Sequence, residues 1–210
     1  MNKPDLRLWL KQQRQKLCTN EAVFRIQQQL MQQHLEDFFE QICNDSANKS
    51  TQRCLLGYVP MKGEMCFFNV YLKLFRQGWQ VYLPCVFDSN SALSFFEYRS
   101  IELDQEMPYQ SLKKKDVMGL PYPDGEPVNH SIDYALIPAL GVCLVQSKVY
   151  RLGYGGGFYD RTLGAYPSML TIAVAPSQSL VDFCPESHDI ALNGWLNEKS
   201  IQIFERMGCC

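Results

Sequence analysis

Hydrophobic residues recur at helical spacing through the first 42 positions, and the period changes after residue 52. Leu6, Leu10 and Leu17 mark one helix. Thr19 or Asn20 caps a second, predicted to turn Val23, Phe24, Ile26, Leu30, Leu35 and Phe38 inward. Residues 44–51 are polar and read as a loop. Residues 53–59 (RCLLGYV) form a short apolar run of buried-strand type, and 64–76 return to the helical period. Gly78 is placed to end that helix, and 79–84 (WQVYLP) read as a second strand. A strand–helix–strand unit with short loops predicts a parallel pair with a right-handed crossover. Further strands are expected at 94–98 (SFFEY), 132–138 (IDYALIP), 171–175 (TIAVA), near Leu192 and at 201–204. The polar stretch 107–129 holds four prolines and reads as a long surface loop or flap, a kind that is often functional. This alternation predicts one α/β domain over residues 1–210. It is expected to have three layers, α/β/α, with a mainly parallel central sheet on which the helices of residues 1–43 pack.

Composition narrows the class. Of 210 residues, 46% are hydrophobic and 12% aromatic, and the net charge is -2, which excludes a disordered chain. A chain of this length buries about 70% of its unfolded surface, so neither disulfides nor a structural metal are needed. Twenty basic residues face 22 acidic ones, giving no general attraction for nucleic acid. Lys113, Lys114 and Lys115 read as a solvated loop. Nothing approaches the roughly 18 apolar residues of a membrane span, and the N-terminal residues lack a signal-type core. The nine cysteines are odd in number, irregularly spaced and without a CxxC pair. Cys54, Cys66 and Cys85 sit in apolar runs as small hydrophobes, while Cys209 and Cys210 close the chain. The expectation is a cytoplasmic monomer with reduced thiols, binding neither nucleic acid nor membrane.

Chemistry concentrates at residues 151–161, RLGYGGGFYDR. Gly153, Gly155, Gly156 and Gly157 free the backbone to approach a ligand, and successive inward N–H groups make an anion nest. A helix starting near Phe158 would add its N-terminal dipole. Arg151 offers a permanently charged fork for phosphate oxygens. Asp160 stands where a carboxylate can hold Mg²⁺ bridged to phosphates, and Phe158 and Tyr159 present rings to a flat ligand. The stretch is no Walker A loop, for it lacks G-K-[ST]. Nor is it a dinucleotide fingerprint, since it opens with Arg and follows no clean strand. Lys3 and Arg7 lie one turn apart on one helix face, and Glu64 opens the predicted third helix.

These motifs resemble the 5-formyltetrahydrofolate cyclo-ligase family, also called 5,10-methenyltetrahydrofolate synthetases, whose hallmark reads R-L-G-x-G-x-G-Y-Y-D. The resemblance runs along nearly the whole chain. Lys3 and Arg7 match the family's K-x-x-x-R, residues 59–64 (VPMKGE) its loop after the first strand, and Leu83-Pro84 its second strand end. Gly119-Leu120-Pro121 is similar to its flap segment, residues 133–138 to its D-x-x-x-x-P strand, and His188-Asp189 to a metal-binding carboxylate position. Val142 and Cys143 stand in the family's Phe-Asp places, the connection to Arg151 is longer by about three residues, and Asn193 replaces a common Asp.

The resemblance implies a fold of the NagB/RpiA/CoA-transferase-like type. It also implies ATP- and Mg²⁺-dependent cyclisation of 5-formyltetrahydrofolate, polyglutamylated or not, to 5,10-methenyltetrahydrofolate. Lys3, Arg7 and Arg151 would bind the ATP phosphates, with Arg151 and Lys3 acting on the transferred group. The nucleotide cradle would be Leu152, Gly153, Tyr154, Gly155, Gly156, Gly157, Phe158 and Tyr159. Val59, Met61, Glu64, Phe158 and Tyr159 would hold the folate, and Asp160 and Asp189 the Mg²⁺. Replacing Arg151 by Ala is expected to cut turnover by orders of magnitude and leave folding intact. Two other classes would use the same loop: a sugar-phosphate isomerase on a related scaffold, and a non-catalytic folate or nucleotide binder.

Overall fold

Two helices lead the chain, each started by an asparagine side chain. Asn2 accepts from the Asp5 N–H at 2.9 Å ahead of α1 (Lys3–Thr19), and Asn20 accepts from Val23 N–H at 3.3 Å ahead of α2 (Glu21–Asn44). The computed structural model describes residues 1–44, 53–99 and 112–204. Most of the predicted 44–51 loop, the start of the 107–129 stretch and Cys209-Cys210 lie outside these.

After β1 (Cys54–Leu56) come α3 (Phe68–Arg76), β2 (Gln80–Cys85) and β3 (Ser94–Glu97). A small hairpin, β4 (Lys114–Lys115) with β5 (Pro121–Tyr122), precedes β6 (Tyr134–Pro138). A second hairpin, β7 (Gly141–Val145) with β8 (Lys148–Leu152), leads to α4 (Phe158–Ala165). The chain then forms β9 (Leu170–Val174), β10 (Gly194–Leu196) and β11 (Ile201–Ile203). The central sheet has seven strands in the order β11-β10-β9-β6-β1-β2-β3. The five inner strands are parallel, and the two edge strands run antiparallel to them.

Strand side chains alternate between two cores. Leu55, Val81, Leu83, Leu136 and Ile172 face α2 and α3, whereas Leu56, Tyr82, Ala135, Ile137 and Ala173 face α4 and the β7–β8 hairpin. The expected three layers are therefore present, with a β-hairpin sharing the second outer layer. Helix α1 packs its Leu6 and Leu10 on Leu140 and Leu152, and its Leu17 joins the core on the α2 side.

Four local expectations are corrected. Helix α2 buries Gln27, Met31, Leu35 and Phe39, whereas Val23, Ile26 and Leu30 are largely exposed. Its sequence carries two apolar stripes, and the sheet selects the one on which Phe39 meets Trp79 and Tyr134 edge-on. Helix α3 starts at Phe68 rather than residue 64, because residues 61–64 form a turn with Gly63 at φ 82°. The glycine motif does follow a strand, β8. The described part of the 107–129 stretch is a hairpin docked on the end of β2, where Asp116 accepts from the Val86 N–H at 3.1 Å.

Candidate active site

Strand order reverses between β1 and β6: from β1 the chain builds outward to β2 and β3, then returns to β6 and proceeds the other way. In an open α/β sheet such a switch point leaves a crevice beyond the carboxyl ends of the strands, where ligands bind. A cleft of about 330 Å³ occupies that place. Tyr58 and Val59 line it from beyond β1, Pro84 and Val86 from β2, and Pro138 from β6. Met118 and Leu120 of the β4–β5 hairpin close one side, and the whole segment from Arg151 to Asp160 forms another.

The glycine segment links β8 to α4 and gains its shape from positive φ at Gly155 (105°) and Gly157 (67°). Gly157 is the residue ahead of α4, so the helix N-terminus opens into the cleft. Arg151, 9% exposed, pairs with Asp160 at 3.0 Å and lies 4.9 Å over the Tyr159 ring. Its Nε is enclosed and has no hydrogen-bond partner, an unsatisfied donor on a residue that lines the cleft. Burial of Arg151 also corrects the expectation that its loss would leave folding intact. Burial pushes the Tyr159 hydroxyl far above its ordinary range, so it stays protonated and its ring is a wall.

Helix α1 brings cations to the same edge. Arg7 lines the cleft and its Nε donates to the Gly153 carbonyl at 3.0 Å. Lys3 Nζ pairs with Asp189 at 2.6 Å and Glu186 at 3.2 Å. His188 and Asp189 both line the cleft. Opposite, Glu64 closes its turn by accepting from the Met61 N–H at 2.9 Å, beside Val59 and Met61 in the wall.

Arg14 escaped the sequence reading. It pairs with Glu64 at 3.0 Å and donates to the Tyr154 hydroxyl at 2.9 Å and to the Ala139 carbonyl. The signal was present, since Arg14 follows Arg7 by two helical turns and so shares its face. Two departures from the family pattern are structural. Val142 and Cys143 are buried in β7, and Asn193 Oδ1 accepts from the Thr171 N–H at 2.8 Å, tying β9 to the chain before β10.

Burial alone would raise the Asp189 carboxyl, but hydrogen bonds from Lys3 and the Glu186 N–H, with the charges of Lys3 and His188, hold it below its ordinary value. A lowered folded-state pKa contributes stability above the unfolded value, near pH ~4, and that stability disappears as pH falls through the folded value. Asp189→Asn is therefore expected to lower Tm at neutral pH, with the gap to the parent protein closing below about pH 4. A gap that persists undiminished in acid would show that the pair contributes nothing through ionisation.

The doubly wound sheet, with a glycine loop and carboxylates on one switch-point cleft, is an α/β fold with its candidate active site at the carboxyl ends of the strands. The model of the 5-formyltetrahydrofolate cyclo-ligase family matches residues 1–196, and the chain belongs to that family, the ligases of folate metabolism. It is 29% identical over 158 residues to the 5-formyltetrahydrofolate cyclo-ligase of Mycolicibacterium smegmatis, covering 73% of this chain and 78% of that one. The NMR structure of Aquifex aeolicus 5,10-methenyltetrahydrofolate synthetase superposes with a TM-score of 0.70 at 22% identity, covering 100% of this chain and 96% of its own. The Mycoplasma pneumoniae 5,10-methenyltetrahydrofolate synthetase gives 0.67 at 24% identity, over 94% and 99%.

Proposed function

We propose that the protein closes 5-formyltetrahydrofolate to 5,10-methenyltetrahydrofolate, converting ATP to ADP and phosphate. The observation that carries this reading is the convergence of Glu64 and the 151–160 loop on one cleft. A carboxylate suits the pterin's amino and ring N–H groups, and the loop suits a polyphosphate.

The N5 formyl group is amide-like, and its oxygen is a poor leaving group. That oxygen takes the γ-phosphoryl group as ADP departs, giving an imidate phosphate. The N10 lone pair then attacks the carbon, the C–O bond breaks, phosphate leaves and the N10 proton passes to solvent. Little covalent work falls to the protein, which aligns the formyl oxygen with γ-phosphorus and screens charge. Lys3, Arg7 and Arg151 take the phosphates, together with N–H groups of the glycine loop. Val59, Met61, Phe158 and Tyr159 wall the folate.

Among the described residues no cluster of three or more His, Cys, Asp or Glu side chains would hold a metal alone. Two hard carboxylates, Asp160 and Asp189, nonetheless line the cleft, and that set fits Mg²⁺, which favours one or two carboxylates plus phosphates and water. Bound there, Mg²⁺ would neutralise phosphate charge. Each carboxylate is paired with a cation, Asp160 with Arg151 and Asp189 with Lys3. With Mg²⁺ and nucleotide bound, Lys3 and Arg151 would face phosphates and Asp160 and Asp189 would face the metal, so no charge would be left uncompensated. We read the active unit as a cytoplasmic monomer.

Purified protein mixed with 5-formyltetrahydrofolate, Mg²⁺ and ATP is expected to give a rise in the near-ultraviolet absorbance of the methenyl product, abolished by omitting ATP. No rise from folded protein that still binds ATP would sink the activity and favour a non-catalytic binder.

A further inference from the structure

One guanidinium joins the two sides of the cleft. Arg14 Nη1 donates to Glu64 Oε1 at 3.0 Å and to the Tyr154 hydroxyl at 2.9 Å, while Nη2 donates to the Ala139 carbonyl just beyond β6. Its side chain is 11% exposed and that of Glu64 5%, so the pair is poorly screened. Tyr154 lies in the glycine loop between Gly153 and Gly155. Its ring is approached by Lys11 at 5.2 Å and Arg14 at 5.8 Å. The ring's place thus depends on the loop backbone, which any bound phosphate must contact. Glu64 has one oxygen engaged by Arg14 and the other by the Met61 N–H, and the residue lines the cleft, with acceptor capacity left on both oxygens.

Resting on the reading of Glu64 as the folate acceptor and of the loop as the nucleotide site, the geometry points to Arg14 as a positioning residue that couples the two ligands. Nucleotide in the loop fixes Tyr154, Tyr154 fixes the Arg14 guanidinium, and Arg14 fixes the carboxylate that grips the folate. The link runs equally in reverse, because coupling between two sites is reciprocal. Arg14 itself is not part of the cleft lining.

Isothermal titration tests this with 5-formyltetrahydrofolate alone and with the β,γ-imido analogue of ATP plus Mg²⁺ present. In the unaltered protein the nucleotide analogue is expected to tighten folate binding by about fivefold or more, with an equal reciprocal effect. Tyr154→Phe removes only the hydroxyl and is expected to bring the ratio close to one, whatever it does to the affinity of either ligand alone. Arg14→Gln should do the same, and Arg14→Lys should restore part of the ratio. A ratio unchanged in Tyr154→Phe, or a ratio of one in the unaltered protein, would overturn the coupling but leave the function standing. Failure of the unaltered protein to bind either ligand would overturn both together.

Discussion

Arg151→Ala is expected to lower turnover by about 10²–10³-fold, the cost typical of removing one preorganised group that stabilises transition-state charge. Its seat at the end of β8 and its stacking on Tyr159 hold the guanidinium in the wall of the cleft. The same burial gives the variant a folding defect, because Asp160 loses its partner while largely enclosed. Breaking a buried pair costs about 3–5 kcal/mol, and the one-fifth exposure of the Asp160 side chain brings this to the low end. The two effects separate in the pair Arg151→Met with Asp160→Asn, which leaves no lone charge. That double variant should recover most of the lost Tm and none of the lost turnover. Arg151→Lys keeps the charge but not the fork and should fall between Ala and the parent. Near-normal kcat in Arg151→Ala, measured on folded protein, would remove Arg151 from the phosphate clamp.

Some of this site was legible because its residues are consecutive. A run of glycines bracketed by Arg151 and Asp160 announces a backbone-built anion site wherever it falls in the fold. The buried strands were legible as well, since β1, β2, β6 and β9 are covered on both faces and read as plain apolar runs. The β7–β8 hairpin was not. Its two-residue turn is Gln146-Ser147, both at positive φ (49° and 59°), where Asn-Gly or Asp-Gly would have given the signal. That hairpin accounts for the longer connection to Arg151. The orientation of α2 was hidden for another reason: Val23, Ile26 and Leu30 form a helical stripe as good as the buried one, and only tertiary contact decides between them. Glu64 was found through its place in the sequence pattern; Arg14 shares the α1 face of Arg7, but its pairing with Glu64 fifty residues away is set by tertiary contact alone.

A single methyl group placed at two glycines should separate site from scaffold. A Cβ at Gly153 would stand 2.4 Å from Arg151 Nη1. The obstructing atom is the far end of a long side chain, so relief comes by swinging the guanidinium away from Asp160 and the Tyr159 ring, with the backbone left in place. Gly153→Ala is therefore expected to cost less stability than Arg151→Ala, because the displaced guanidinium stays near Asp160 and its charge is not lost. Turnover should fall by about tenfold to a hundredfold, consistent with misplacing one positioned group by about an ångström. A Cβ at Gly57 would stand 2.5 Å from Tyr71 Cζ instead. That ring is fully buried, and its hydroxyl accepts from the Tyr58 N–H at 3.1 Å, so it has nowhere to go. Gly57→Ala should lose about 1–3 kcal/mol of stability through overpacking. Were Gly153→Ala to behave like Gly57→Ala, losing stability but keeping its turnover per folded molecule, the loop would be a structural connection and the phosphate assignment would fall. The contrast rests on what each methyl meets: the movable tip of a charged side chain at the cleft, or an enclosed ring of α3 in the core.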